Sequence, residues 1–174
     1  MSDPLYRYEK YNDERLGEIF NAWDGLGGYH GLQIKEVASL ISPYNSLLDV
    51  GCGTGHLYEA VKPEKYTGFD VEPRVVELAK NRHPSLDIRL GDALDMDEYG
   101  IYDVVAAIGL FSSEPNTIDI IDNMYAHANK RVIFTINHYD KGMPDIVASS
   151  YRNAYLHEHN IDKAMHIIVM EVEI

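Results

Sequence analysis

The stretch Leu47-Leu48-Asp49-Val50-Gly51-Cys52-Gly53-Thr54-Gly55 runs from apolar residues through an acid into glycines at every second position. Glycine costs backbone entropy, so glycines this closely spaced predict a turn that other residues could not make. The apolar residues before the turn read as a buried strand, and residues 55–61 after it read as a helix. A strand that leaves through such a turn into a helix places a ligand site beyond the carboxyl ends of a doubly wound sheet.

The rest of the chain continues the same rhythm. Short apolar runs predict strands over 47–50, 66–70, 86–90, 103–108 and 131–136, and helices over 55–61, 73–82, 116–128 and 145–157. Pro73 suits a first helical position, with Glu72 as the capping candidate before it. Strand and helix in alternation imply right-handed crossovers and an α/β fold, a mostly parallel sheet covered on both faces. The runs around Leu47, Val104 and Val132 are continuously apolar, as central strands are. Leu86-Asp87-Ile88-Arg89-Leu90 alternates, and so do Ile168, Met170, Val172 and Ile174 with Glu171 and Glu173, so the third and the C-terminal strand are expected to flank the sheet. Upstream, Leu16, Ile19, Phe20 and Trp23 share one helical face opened by Asn12. Gly25, Gly27 and Gly28 break it, and Ile34, Val37, Ala38 and Ile41 form a second stripe that stops before Pro43.

With 174 residues the chain is long enough for one domain with a proper core and too short for two ordinary ones. It carries 15 basic and 28 acidic residues, a net charge of −13 that repels nucleic-acid phosphates and anionic membranes, so neither is expected as a partner. No apolar run reaches a membrane span, the start lacks a signal region, and the single cysteine suits a reducing compartment; a cytoplasmic protein is expected.

The glycines are Gly51, Gly53 and Gly55, and His56 stands where the third glycine of a dinucleotide fingerprint falls. The pattern therefore speaks against a nicotinamide dehydrogenase. The residues resemble the class I S-adenosylmethionine-dependent methyltransferases. The glycine stretch is similar to their first motif, "YTGFDVEP" supplies an acid at the end of the second strand, and "RLGDALD" supplies one after the third. "YDVVAAIGLF" matches the fourth strand and its exit. The resemblance covers the chain from Leu47 to Ile136 in order.

It implies a Rossmann-like fold and S-adenosylmethionine as cofactor, with S-adenosylhomocysteine as product. Gly51, Cys52 and Gly53 would let the backbone approach the methionine part, and Asp49 under the turn would orient the loop and the cofactor's amino group. Asp70 would accept the ribose hydroxyls; Asp92 and Ala93 would meet the adenine, with Asp95 and Asp97 as competing acids; Val71, Ile108 and Gly109 would line the walls. One domain over 1–174 is implied: a helical cover over 1–45, a cofactor-binding core over 46–140, and a helix and strand over 141–174, abbreviated against the family's closing strand pair. The cover is expected to close residues 1–23 over the strand ends, with Tyr6, Tyr8 or Tyr11 near the cofactor.

The acceptor is expected to be a small molecule, because no substrate domain is inserted. A protein side chain is the alternative, as is a S-adenosylmethionine-binding protein without turnover. A metal is not expected: His157 and His159 are two apart and point to different sides of a helix. His138, leaving the fifth strand with Asn137 and Asp140 nearby, is the candidate proton acceptor, with Tyr8 or Tyr29 as acceptor-positioning groups. Cys52 reads as a small filler behind the loop.

Overall fold

Leu47, Leu48 and Val50 are fully buried, which makes their strand the centre of the sheet. The computed structural model describes residues 14–15, 29–111, 116–137, 147, 149–157 and 165–172. Helix α1 (Tyr29–Ile41) precedes β1 (Ser46–Val50), α2 (His56–Val61), β2 (Lys65–Asp70), α3 (Pro73–Arg82) and β3 (Asp87–Leu90). Then follow β4 (Tyr102–Ala107), α4 (Thr117–Ala126), β5 (Ala128–Asn137), β6 (Ala154–His157) and β7 (Met165–Glu171). The strand order is β3-β2-β1-β4-β5-β7-β6. The first five strands run parallel, and β7 lies antiparallel to both β5 and β6. The chain moves outward from β1 to β3 and then returns to β4 on the other side of β1. That reversal opens a crevice at the carboxyl ends of β1 and β4.

Alternating residues of the strands feed two apolar layers. Leu48, Val50, Phe69, Val105, Phe134 and Ile168 pack with Ile120, Ile121 and Met124 of α4. On the opposite face Leu47, Tyr66, Val104, Ile133 and Ile167 pack with Ile34 and Val37 of α1, Leu57 of α2 and Val76 of α3. Glu72 caps α3, its side chain accepting from the Arg74 N–H at 3.2 Å, and Pro73 occupies the first turn where no N–H is needed. Arg131 of β5 clips α1 to the antiparallel end. It donates to the Leu40 carbonyl at 2.7 Å, pairs with Glu171 of β7, and lies over the Tyr44 ring.

Three expectations about the C-terminal part are corrected, the first being its abbreviation: β6 and β7 form an antiparallel strand pair after β5. Residues 154–157 form β6 rather than the end of a helix, and β6, not the last strand, flanks the sheet opposite β3. Ala154, Tyr155, Leu156 and His157 pair in register with Met170, Val169, Ile168 and Ile167, and this cross-strand pairing overrides local preference. β7 is then enclosed by a strand on each side and buries Met165, Ile167, Ile168, Val169 and Met170, so its polar alternation is confined to the end of the segment.

Asp103 joins the amino ends of β1 and β4. One carboxylate oxygen accepts from the Asn45 and Ser46 N–H groups at 3.2 and 3.1 Å, while the Ser46 hydroxyl accepts from the Asp103 N–H at 2.7 Å. Asp103→Ala is expected to cost about 1 kcal/mol, because it removes the acceptor of one partly buried and one exposed donor. Urea unfolding with an unchanged midpoint would show that water replaces the carboxylate without loss.

Candidate cofactor and acceptor site

The site is built on the turn that ends β1. Gly51 and Gly53 have φ of 69° and 54°, a left-handed backbone that side-chain-bearing residues adopt only under strain. The turn is closed by the Cys52 N–H on the Phe69 carbonyl at 2.9 Å and the Gly55 N–H on the Cys52 carbonyl at 3.0 Å. A Cβ on Gly51 would already touch the Leu110 side chain at 3.4 Å, so the bare backbone faces the exit of β4 across a narrow gap.

Asp70, at the end of β2, fastens this turn to the neighbouring strand. Its two carboxylate oxygens accept from the Gly53 N–H and from the Glu72 N–H, both at 3.1 Å. Each oxygen retains lone-pair capacity for a further donor. Burial raises the pKa of Asp70, and the hydrogen bonds from Glu72, Gly53 and Val71 oppose that rise. Asp49 is buried behind the turn and accepts from the Tyr66 hydroxyl at 2.9 Å. Burial pushes its pKa up to about 7, helped by the charge of Asp70 and resisted by the Tyr66 hydrogen bond.

Beyond β3, Asp92 forms a local turn by accepting from the Leu94 N–H at 3.0 Å. The carbonyl of the neighbouring Ala93 accepts from Asn123 of α4 at 3.0 Å, which ties this loop to the helix layer. At the exit of β4, Gly109 turns with φ of 74° and donates to the Thr135 hydroxyl at 2.8 Å.

Asp49, Gly51, Cys52, Gly53, Asp70, Val71, Asp92, Ala93, Ile108 and Gly109 thus sit at or just beyond the carboxyl ends of four adjacent parallel strands. The Cys52 thiol lies between the turn and β2, with its sulfur 3.6 Å from the Gly53 carbonyl. Its sulfur would lie 3.0 Å from a Cβ on Gly68, and burial pushes the thiol pKa up, so it is an inert filler. His138 and Asp140, the expected cover over 1–23 apart from residues 14–15, and its tyrosines lie outside the described residues, as do the side chains of Tyr29 and Asn137. Among the described residues no group of three or more histidine, cysteine, aspartate or glutamate side chains is placed to hold a metal ion.

Two residues here are given no role by the sequence, although Tyr66 opens the quoted second-strand motif. His30 of α1 places its Cε1 3.9 Å from where a Cβ on Gly109 would be, and burial with the nearby His56 lowers its pKa to about 4. Tyr66 reads as an ordinary strand residue until β1 and β2 are set side by side. A tyrosine two positions before the β2 glycine is the one local sign available.

The geometry agrees with what the chain resembles. The methyltransferase domain profile matches residues 41–169, well over half of the sequence. The chain belongs to the methyltransferase domain family. A curated relative, the dTDP-4-amino-2,3,4,6-tetradeoxy-D-glucose N,N-dimethyltransferase of Saccharopolyspora spinosa, is 30% identical over 103 residues, 56% of this chain and 41% of that protein. The chain therefore spans about two fifths of the length of the curated relative it matches. Among solved structures, the plantazolicin methyltransferase BpumL in complex with SAH superposes with a TM-score of 0.72 at 10% identity, covering 98% of this chain and 94% of that one. The magnesium protoporphyrin IX methyltransferase of Synechocystis PCC 6803 with bound SAM gives 0.66 at 15% identity, covering 95% and 99%. These likenesses show the Rossmann-like methyltransferase fold. Within this methyltransferase domain His56 occupies the third glycine position of the dinucleotide pattern, buried at the start of α2, with its ring nitrogens 3.2 Å from the Thr54 hydroxyl and from Arg82.

Proposed function

We propose that this methyltransferase domain binds S-adenosylmethionine across the carboxyl ends of β1 to β4 and methylates a small-molecule acceptor, releasing S-adenosylhomocysteine. The observation that carries the reading is the left-handed glycine turn of β1 held by Asp70 of β2. It presents bare backbone and a buried carboxylate at the switch point of the sheet. The residues present fit the group: Gly51 leaves a gap that a larger side chain would fill, and Asp70 keeps acceptor capacity for two hydroxyls.

When bound, S-adenosylmethionine supplies an electrophilic methyl carbon on a sulfonium. The chain's own part is to bind, align and exclude water. Asp70 accepts from the ribose hydroxyls, and charged acceptors make the stronger hydrogen bonds. Asp49 opposes the ammonium of the methionine part. Asp92 and the Ala93 N–H meet the adenine, while Val71, Ile108 and Gly109 close the walls. Direct displacement needs the nucleophile in line with the methyl and sulfur atoms, so positioning supplies much of the rate. His138 directly follows Asn137, the last residue of β5, and takes the acceptor's proton where one must leave. A small acceptor is supported by the relatives' names, which describe an amino-sugar and a porphyrin methyltransferase. The composition fits work in the cytoplasm, and among the described residues no helix is long and apolar enough to cross a membrane.

Calorimetry with S-adenosylmethionine and with NAD tests the cofactor, and release of S-adenosylhomocysteine over a panel of amino sugars and other small amines tests the acceptor. Binding of NAD alone would overturn the reading. Binding of S-adenosylmethionine with no turnover on small molecules, peptides or nucleic acid would leave a cofactor-binding protein. Asp70→Ala should weaken S-adenosylhomocysteine by about 1.5–3 kcal/mol, the range for a hydrogen bond to a charged group. Unchanged affinity would remove Asp70 from the site.

A further inference from the structure

Asp49 and Tyr66 are both buried, at 3% and 7% exposure, and they are not direct neighbours in the sheet. The register places Tyr66 opposite Leu47, while Asp49 stands opposite Gly68. To reach Asp49 the phenol must lean along the sheet toward its carboxyl end, across Gly68. A Cβ on Gly68 would lie 2.6 Å from the Tyr66 hydroxyl, so the path exists because residue 68 has no side chain. Tyr58 of α2 holds the ring edge-on, with centroids 5.1 Å apart, and the hydroxyl ends 2.9 Å from Asp49.

We propose that Tyr66 is a positioning residue for the cofactor: its hydroxyl, admitted by Gly68, holds the Asp49 carboxylate ionised and oriented toward the ammonium group of S-adenosylmethionine. This rests on the cofactor reading above. A buried carboxylate with one donated hydrogen bond keeps its second oxygen for a cation, whereas a protonated one offers no charge to it.

The groups facing Asp49 make the sign definite. From β2 come Tyr66, whose hydrogen bond favours the ionised form, and Asp70, whose charge disfavours it. From the turn comes Cys52, whose thiol is kept protonated by burial. On the helices over this face, His30 of α1 is held neutral by burial and by His56 of α2, while Glu59, Arg82 and His83 engage one another. Tyr66 is thus the group that opposes protonation of Asp49. Removing the hydroxyl moves the Asp49 pKa further up from about 7.

The test is calorimetric titration with S-adenosylhomocysteine from roughly pH 6 to 9, on the full chain, for wild type, Tyr66→Phe, Asp49→Asn and the double variant. Wild-type affinity should fall as the pH drops through about 7. Tyr66→Phe should shift that midpoint upward by about one unit, giving roughly fivefold weaker binding at neutral pH, approaching tenfold below it, and near-equal binding at the alkaline end. Asp49→Asn should flatten the profile, and adding Tyr66→Phe to it should change nothing further. A Tyr66→Phe profile parallel to wild type, or an added loss in the double variant, would show a packing role and overturn the inference alone. Should Tyr66→Phe fail to fold, a pH-independent wild-type affinity, or an Asp49→Asn profile like wild type, overturns it equally. Wild type that binds no S-adenosylhomocysteine at any pH would overturn the cofactor reading, and the inference with it.

Discussion

Gly51→Val is expected to abolish S-adenosylhomocysteine binding, weakening it by roughly 100-fold or more, while the thermal transition stays cooperative. Two effects act together. The φ of 69° at Gly51 is left-handed, and a β-branched residue is strained there by about 1–3 kcal/mol. The Cβ would also stand 3.4 Å from Leu110, so the γ carbons beyond it would fill the gap proposed above for the methionine part of the cofactor. Gly53→Val should act in the same direction, because its φ of 54° is left-handed and its N–H must keep the 3.1 Å bond to Asp70. Gly100→Ala serves as the control: a Cβ there meets nothing within 4 Å, and binding should be unchanged. Normal affinity in either valine variant, measured by calorimetry, would place the ligand elsewhere.

The largest loss of stability is expected for Phe134→Ala. Phe134 is fully buried on β5, pairs in register with Ala107 of β4 and Ile168 of β7, and meets the Phe111 ring edge-on at 5.1 Å. Truncation removes a large apolar side chain between strands that cannot close the gap, because their spacing is set by the hydrogen-bond ladder. A loss of about 3–5 kcal/mol follows, read as a lower urea midpoint with an unchanged slope. Phe134→Leu should lose much less, since most of the volume is kept. A loss below about 1 kcal/mol for the alanine variant would mean that this layer can collapse around the cavity.

The amino-acid sequence by itself determined the parallel half of this protein. The runs around Leu47, Val104 and Val132 are apolar on both faces, and only a strand covered on both sides tolerates that, so they had to be interior. Pro73 after Glu72 marked the start of α3 because an N-terminal turn needs an acceptor and spares an N–H. The places of Gly51, Gly53, Asp70, Asp92 and Gly109 at the strand ends were legible because each closely follows an apolar run that reads as a strand.

Pairing between distant segments was decided by the tertiary structure. Residues 154–157 are a strand because β7 offers them a ladder, and β7 is interior because they accept it; neither fact has a local signature. His30 reaches the Gly109 turn only because α1 packs over the sheet, and Asp103 meets Asn45 only because β4 lies beside β1. The bond from Tyr66 to Asp49 depends on the register that sets Gly68 beside Asp49. Shifting that register by one residue would turn one strand's side chains to the other face, so the contact belongs to the assembled sheet and not to either segment.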